Sequence, residues 1–263
     1  MIRVLVSGAG GKMGSEVVRA VTAADGMQIV AAVDPGVAGC LISSADGEHV
    51  ECQANLADAI EAARPDVMVD FTHPTIVEGN IRVALAAGVD CVVGTTGLSE
   101  EKLAELAQLG PEGTALFFAP NFAIGAVLMM RFAAMAARFL PHAEVIEFHH
   151  DKKADAPSGT AIRTARAIAK ARAVAPITPG RETELPGMEG ARGALVESVS
   201  VHSVRLPGLV AHQEVIFGGQ GQTLTIRHDS IDRTSFMPGV VLAIRRIGAL
   251  SGIVVGLEEL MGE

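Results

Sequence analysis

The chain of 263 residues is 49% hydrophobic, carries a formal net charge of -9 and contains no Trp or Tyr. That apolar content supplies a core for one large domain or two moderate ones. The acidic balance argues against a nucleic-acid partner, which wants a basic face, and the absence of Tyr excludes an oxidoreductase built on a Tyr-x-x-x-Lys pair.

Cys40, Cys52 and Cys91 are far apart, with no CxxC, which argues against both a disulfide framework and a Cys-based zinc site. No apolar run reaches the roughly 18 residues of a membrane span. The opening IRVLVSG reads as a strand rather than a signal peptide. No membrane partner is expected, and the expected compartment is the cytoplasm. An acidic small molecule stays open as a ligand, because a local cluster can dominate the field in a cleft.

Ile2 to Val6 is an apolar β run, followed by Gly8-Ala9-Gly10-Gly11-Lys12-Met13-Gly14. A helical pattern then places Val17, Val18 and Val21 on one side. A second β run, Met27 to Val33, ends at Asp34, about 20 residues after Gly14, which fits a dinucleotide-binding turn in context as well as in letters. The glycines let the backbone approach a pyrophosphate, and the helix start offers N–H groups and a positive dipole end. Asp34 would accept from a ribose hydroxyl. The spacing is GxxGxxG, with Met13 where strict GxGxxG has Gly, so a plain βα turn is the bland alternative; Asp34 tips the reading toward the cofactor. A P-loop is rejected because Met follows Lys12. Asp34 would repel a 2′-phosphate and Pro35 leaves no Arg to hold one, so NADH is expected to serve at least as well as NADPH, with Lys12 a partial offset.

Residues 36–51 read as a loop with an edge strand, and Leu56 to Ala63 as a helix. Asp66 to Phe71 reads as a buried strand ending at Thr72-His73-Pro74, where His73 is taken as a loop hydrogen-bonder ahead of a nicotinamide contact. A helix from Thr75 to Ala87 leads to the strand Asp90 to Val93 and then Gly94-Thr95-Thr96-Gly97, read either as a ligand crevice or as an ordinary turn and N-cap. A helix over Ser99 to Leu109 precedes the strand Ala115 to Phe118 and Ala119-Pro120-Asn121-Phe122. The alternation predicts a mainly parallel sheet with helices on both faces. Right-handed crossovers bring every carboxyl end to the edge that carries the glycine turn.

After Asn121 the character changes. Ala123 to Leu140 reads as a long apolar helix with Met129, Met130 and Met135 as core filler. Ala143 to His149 reads as a strand, about Thr160 to Ala173 as a helix, and Pro176 to Gly193 as a polar loop. Three β-like runs follow without helices between them: Glu197 to Leu206, Leu209 to Phe217 and Gln222 to His228. Ser235 to Leu250 reads as a helix and Ile253 to Leu257 as an apolar tail, placed back against the first domain. The expected fold class is α/β: a Rossmann-type parallel-sheet domain over 1–122 with 234–263, and an α+β domain over 123–233 with a mixed or antiparallel sheet. Hinges are expected near Asn121 to Ile124 and near Ser230 to Ser235.

The densest polar stretch is Glu147 to Ala161, EFHHDKKADAPSGTA. His149 and His150 point to opposite sides if the strand stays regular. Helix capping explains Pro157 and Ser158. It does not explain Gly159 in the first turn, where Ala would be more stable, and Gly there suggests close approach by a ligand. Gly159, Thr160, Ser158 and Lys153 together would form a carboxylate-binding site. A metal site is the rival; HHD on a strand lacks the i, i+4 spacing of helical zinc ligands, and no metal is expected. A purely solvated turn is the bland reading.

EFHHDKKADAPSGTA closely resembles the signature of the dihydrodipicolinate (4-hydroxy-tetrahydrodipicolinate) reductase family. GAGGKMG, FTHP, GTTG, APNFAIG, VRLPGLVAHQEVIFG and LTIRHDSIDRTSFMPG also look like that family, in its order and over nearly the whole chain. The resemblance implies an NADH- or NADPH-dependent reduction of 4-hydroxy-tetrahydrodipicolinate, a dicarboxylate, with loss of water, in lysine and diaminopimelate biosynthesis. It implies a homotetramer assembled through the second domain, with His149 as acid/base and Lys153 as proton donor. His150, Gly159 and Thr160 would bind substrate. Gly8 to Met13, Asp34, Gly94 to Thr96 and Ala119 to Phe122 would contact the cofactor. Lys152 stands where many members carry a third His, and Pro35 where some carry Arg. The alternatives are another two-domain dehydrogenase, or a non-enzymatic NAD sensor with no use for His149 and Lys153 together.

Overall fold

The computed structural model describes residues 1–43, 49–172 and 184–262. The chain forms two compact units, Met1–Ile124 with Arg233–Glu263, and Gly125–Asp232. These boundaries differ slightly from 122/123 and 233/234. The Phe122 ring packs against Phe71 and Phe117, with centroids 5.7 and 6.0 Å apart, and Ala123 is buried. The chain therefore stays in the first unit up to Ile124. At the other crossing, a 3-10 turn at Arg233–Phe236 already leads into the last helix of that unit.

The first unit contains β1 (Ile2–Ser7), α1 (Gly14–Ala23), β2 (Met27–Val33), β3 (Leu41–Ser43), β4 (His49–Gln53), α2 (Leu56–Ala63), β5 (Val67–Asp70), α3 (Val77–Ala86), β6 (Asp90–Val93), α4 (Glu100–Ala107) and β7 (Ala115–Phe118). From the second unit the chain returns to add α7 (Met237–Ile247) and β13 (Gly252–Val255). Its strands lie in the order β13-β7-β6-β5-β1-β2-β4-β3. Only the β3–β4 edge is antiparallel. The apolar tail is thus the edge strand β13, paired parallel with β7, and the loop read over 36–51 carries two strands where one was expected.

Alternation along each strand sends side chains to opposite faces. Leu5, Val33, Met68, Cys91, Val93 and Leu116 share a core with α2, α3 and α4, while α1 packs beside α7. Helices therefore cover both faces, and the strands are continuously apolar, as a buried parallel sheet requires. Each fully buried Leu or Phe contributes about 1.5–3 kcal/mol of transfer free energy.

The second unit comprises α5 (Ile124–Ala137), which begins at the crossing, β8 (His142–His149), α6 (Gly159–Ala171), β9 (Ala194–Val196), β10 (Val199–Arg205), β11 (Ala211–Gly219) and β12 (Gln222–Ser230). Its strands lie in the order β12-β11-β8-β10-β9. The sheet is mixed: β8 pairs parallel with β10 and antiparallel with β11. The three consecutive runs are therefore not three neighbours, because β8 is inserted between β10 and β11.

Ala133 and Ala137 of α5 and Ala161 and Ala165 of α6 pack with Val145, Val201, Val215 and Phe217 on one face. Met129 belongs to this core, and Met130 packs against it. Met135 does not: it is 57% exposed, like Phe132 on the same helix. The polar loop expected over 176–193 lies outside the described residues as far as 183.

Candidate active site

One group of candidate site residues lies at the carboxyl edge of the parallel sheet. β1 ends at Ser7 and the chain turns at Gly8, whose φ of +82° is open to glycine at little cost. A Cβ on Gly14 would lie 1.9 Å from the Gly8 carbonyl oxygen, so α1 starts directly against the turn only because Gly14 lacks a side chain. Met13 caps α1 without a side-chain acceptor, which leaves the positive end of the helix to a ligand or water. Asp34, at the end of β2, accepts from Gly10 N–H at 3.0 Å and from Gly36 N–H at 2.8 Å. β1 sits between β2 and β5, where the strand order reverses and a crevice opens. A cavity of about 430 Å³ occupies that place, lined by Ser7, Gly8, Gly11, Asp34, Thr72 and His73 among others. Gly10, Gly11 and Lys12 are exposed beside it and Ala9 is buried. His73 Nδ1 accepts from Thr75 N–H at 3.3 Å, so His73 both braces its loop and faces the cavity.

The other strand ends are tied to a buried carboxylate. Asp70, wholly inaccessible at the end of β5, accepts from Thr95 Oγ1 at 2.7 Å, Thr72 Oγ1 at 2.8 Å, Thr72 N–H at 3.2 Å and Asn80 Nδ2 at 2.8 Å. The buried Thr95 hydroxyl is thereby committed inward. Gly94 makes room for Phe71, whose ring a Cβ would approach to 2.1 Å. Thr96 is exposed, Pro120 and Asn121 are half-exposed, and Ala119 and Phe122 are buried. The sequence reading missed Asp70 and Asn80. The available signal was an acid closing the otherwise apolar run VMVD.

A separate group of candidate residues lies in the other unit, at the end of β8. Glu147 and His149 are two residues apart on one strand and share a face. The Glu147 side chain is fully buried. Oε2 faces His149 Nδ1 in a short hydrogen bond and accepts from Arg205 Nη1 at 2.8 Å. Oε1 accepts from Arg205 Nη2 at 2.8 Å and from Ser158 N–H at 3.2 Å. Burial pushes the Glu147 carboxyl upward, but hydrogen bonds from His149, Arg205 and Ser203 outweigh it and hold the group down at about 2.

The strand stops at His149, and the next residues turn. Lys153 N–H donates to the His150 carbonyl at 3.2 Å, and Lys153 Nζ donates to Asp155 Oδ1 at 2.6 Å. Asp155, left without a firm role by the sequence, thus orients Lys153, and its own carbonyl accepts from Arg205 Nη2 at 2.6 Å. The Lys153 ammonium holds the Asp155 carboxyl below its usual range. Ser158 caps α6 through Ala161 N–H at 3.2 Å. Gly159 has φ outside the left-handed region, and nothing lies within 4 Å of a Cβ there. His150 is exposed, as are Asp151 and Lys152. Sequence reasoning missed Glu147 and Arg205 as site residues.

Two family models divide the sequence between them: "Dihydrodipicolinate reductase, N-terminus" matches residues 2–122, and "Dihydrodipicolinate reductase, C-terminus" matches residues 125–261. The chain belongs to the dihydrodipicolinate reductase family. It is 51% identical to the 4-hydroxy-tetrahydrodipicolinate reductase of Moorella thermoacetica over 99% of this chain and 98% of that one. It is 49% identical, with the same coverage, to the enzyme of that name from Desulfitobacterium hafniense. Among solved structures, the dipicolinate-bound dihydrodipicolinate reductase from Paenisporosarcina sp. TG-14 superposes with a TM-score of 0.84 at 43% identity, covering 99% of this chain and 100% of that one.

The chain is accordingly an NADH- or NADPH-dependent oxidoreductase that reduces 4-hydroxy-tetrahydrodipicolinate in lysine and diaminopimelate biosynthesis. The first unit fits the nicotinamide cofactor in its own right, with a glycine turn at a helix start, a crevice at the strand reversal, and Asp34 beside it. Among the described residues no helix is long and apolar enough to cross a membrane.

Proposed function

We propose that His149 exchanges a proton with the substrate and that Lys153, His150 and the start of α6 at Gly159 and Thr160 hold its negative groups. The observation that carries this reading is Gly159. Neither its backbone angle nor its packing calls for glycine, yet it opens a helix within the same short segment as His149 and Lys153. A residue without a side chain there leaves the helix start open to a carboxylate. Ser158 contributes as the cap that fixes that start, since its hydroxyl is already bound to Ala161.

When bound, a nicotinamide cofactor would supply the hydride for ring C4 of the substrate after loss of water. The negative charge that develops toward the ring nitrogen is met by the Lys153 ammonium, and proton delivery from His149 completes the reduction. The cofactor itself would be held along Gly8 to Met13, by Asp34, and by the backbone of Gly94 to Thr96 and Ala119 to Asn121, with Phe122 shaping the wall. In this reading the unit of residues 1–124 with 233–263 serves the cofactor, and the unit of residues 125–232 serves substrate and assembly.

The second unit also supports a homotetramer. Ile146, Phe148, Val204 and Ile216 are half-exposed on the sheet face opposite α5 and α6. A further copy covering that face would remove them from water. The same reading puts the enzyme in the cytoplasm.

NADH oxidation with the condensation product of pyruvate and aspartate semialdehyde tests the assignment. His149→Ala and Lys153→Ala are expected to lower kcat by about 100-fold or more while leaving NADH affinity within a factor of about two. A Lys153→Ala enzyme with near-full kcat would sink the role given to that residue. Sedimentation velocity at micromolar concentration tests the assembly, and a monomer would overturn it.

A further inference from the structure

We propose that Glu147 and Arg205 act together as the positioning pair of the reductive site, fixing the tautomer of His149 and setting Lys153 and the head of α6 from one buried carboxylate. The inference rests on the roles given above to His149 and Lys153.

The three parts of the substrate site come from different local structures: a strand end, a turn and a helix start. Each is tied to Glu147. His149 is bound directly through Nδ1. The head of α6 is bound through Ser158 N–H, at 3.2 Å from Oε1. Lys153 is reached through Arg205, which grips both Glu147 oxygens at 2.8 Å and the Asp155 carbonyl at 2.6 Å, while the Asp155 carboxylate takes Lys153 Nζ at 2.6 Å. The parallel register of β8 and β10 sets Arg205 opposite His149, which brings the guanidinium over the neighbouring Glu147.

An ion pair between a buried carboxylate and a half-buried guanidinium is poor evidence of stabilisation, because well-packed apolar side chains of similar volume serve as well or better. Its placement among the three working parts assigns it to geometry instead. The chemistry of the pair fixes one further detail. A carboxylate held ionised is an acceptor only. The bond between Glu147 and His149 therefore requires the proton on Nδ1, and Nε2 is left as the ring atom that gives and takes a proton. Glu147 and Arg205 are positioning residues, since they act through His149 and Asp155.

The decisive measurement is the tautomer of His149, read from nitrogen-15 spectra of the full-length protein labelled at histidine, above the pH where the ring deprotonates. The neutral ring is expected with its proton on Nδ1. A wild-type ring protonated on Nε2 overturns the proposal, whether or not any variant folds. In Glu147→Gln one oxygen becomes an NH2 group; Arg205 claims the remaining oxygen and the amide faces Nδ1. The ring is then expected to change to the Nε2–H form, with kcat falling at least tenfold and NADH affinity within twofold of wild type. A folded Glu147→Gln enzyme that keeps both the tautomer and kcat refutes the pair.

Asp155 is exposed, so Asp155→Ala cuts only the Lys153 branch. Dipicolinate binding is expected to weaken severalfold with the His149 tautomer unchanged, and unaltered dipicolinate binding would remove Lys153 from the network. Failure of the underlying reading looks different: His149→Ala would then keep its kcat while the wild-type ring still carried its proton on Nδ1.

Discussion

Asp34 grips the glycine turn it faces: its Oδ2 accepts from Gly10 N–H at 3.0 Å, and its Oδ1 accepts from Gly36 N–H at 2.8 Å. Asp34 lines the crevice, and a carboxylate that accepts two hydrogen bonds keeps lone pairs, which the proposed cofactor reading gives to a ribose hydroxyl. The same negative charge opposes a 2′-phosphate, and Pro35 offers no counter-charge. The expected outcome is a kcat/KM for NADH at least equal to that for NADPH, with Asp34→Ser moving the ratio toward NADPH and lowering stability as the Gly10 and Gly36 ties weaken. A wild-type ratio strongly favouring NADPH would show that Lys12 or another cation outweighs Asp34.

Glu147 makes acid stability a readout of the second unit. Its folded value, about 2, lies below the ordinary glutamate value near 4.3. A depressed carboxyl adds stability that is complete above the unfolded value and is lost as the pH falls toward the folded one. The window therefore runs from roughly pH 4.5 to 2, and the contribution is on the order of 3 kcal/mol. Asp155 and Asp229 are also held low, by Lys153 and Arg227 respectively, but both are exposed and such pairs count for little. Denaturant unfolding between pH 7 and 2.5 should show wild type losing stability across that window and Glu147→Gln losing much less. Parallel curves would contradict the assignment.

Asp70 couples the fold of the first unit to the cofactor edge. Its four donors come from the ends of β5 and β6 and from α3. In Asp70→Asn one oxygen becomes a donor facing donors, at a cost of about 2–4 kcal/mol. The expected result is a lower Tm and a severalfold higher KM for NADH, with kcat at saturating NADH within about threefold of wild type. A variant matching wild type in both Tm and KM would mean that the loops hold their places without Asp70.

What the sequence made legible follows from range. The glycine turn, the strand before it and Asp34 lie within one βαβ segment, and local chemistry places them. The end of β8, the turn at Lys153 and the cap at Ser158 are likewise local. Arg205 is 58 residues from Glu147 and meets it only because β8 and β10 pair in parallel. No periodicity announces that pairing, since β8 inserts between strands that follow each other in sequence. Met135 misled for a similar reason: a helix as apolar as α5 does not reveal which side faces the sheet. Gly94 carries two explanations at once, the crevice and the space for the Phe71 ring, and only the structure separates them.

Gly8 and Gly159 set apart the two uses of glycine, and substitution distinguishes them. At Gly8 the φ of +82° and a Cβ position 2.5 Å from the Phe71 carbonyl oxygen make alanine strained and crowded, so Gly8→Ala should lower Tm and NADH affinity together. At Gly159 the space is open and the backbone is helical. Alanine there should leave stability unchanged or raise it by up to about 1 kcal/mol through helix propensity. The added methyl instead meets whatever approaches the start of α6. The expected signature is an unchanged or higher Tm, an NADH affinity equal to wild type, and a substrate KM raised about tenfold, the equivalent of about 1.4 kcal/mol. Calorimetry and steady-state kinetics on the two variants separate the cases; a Gly159→Ala protein with the wild-type substrate KM would move the anion site away from α6.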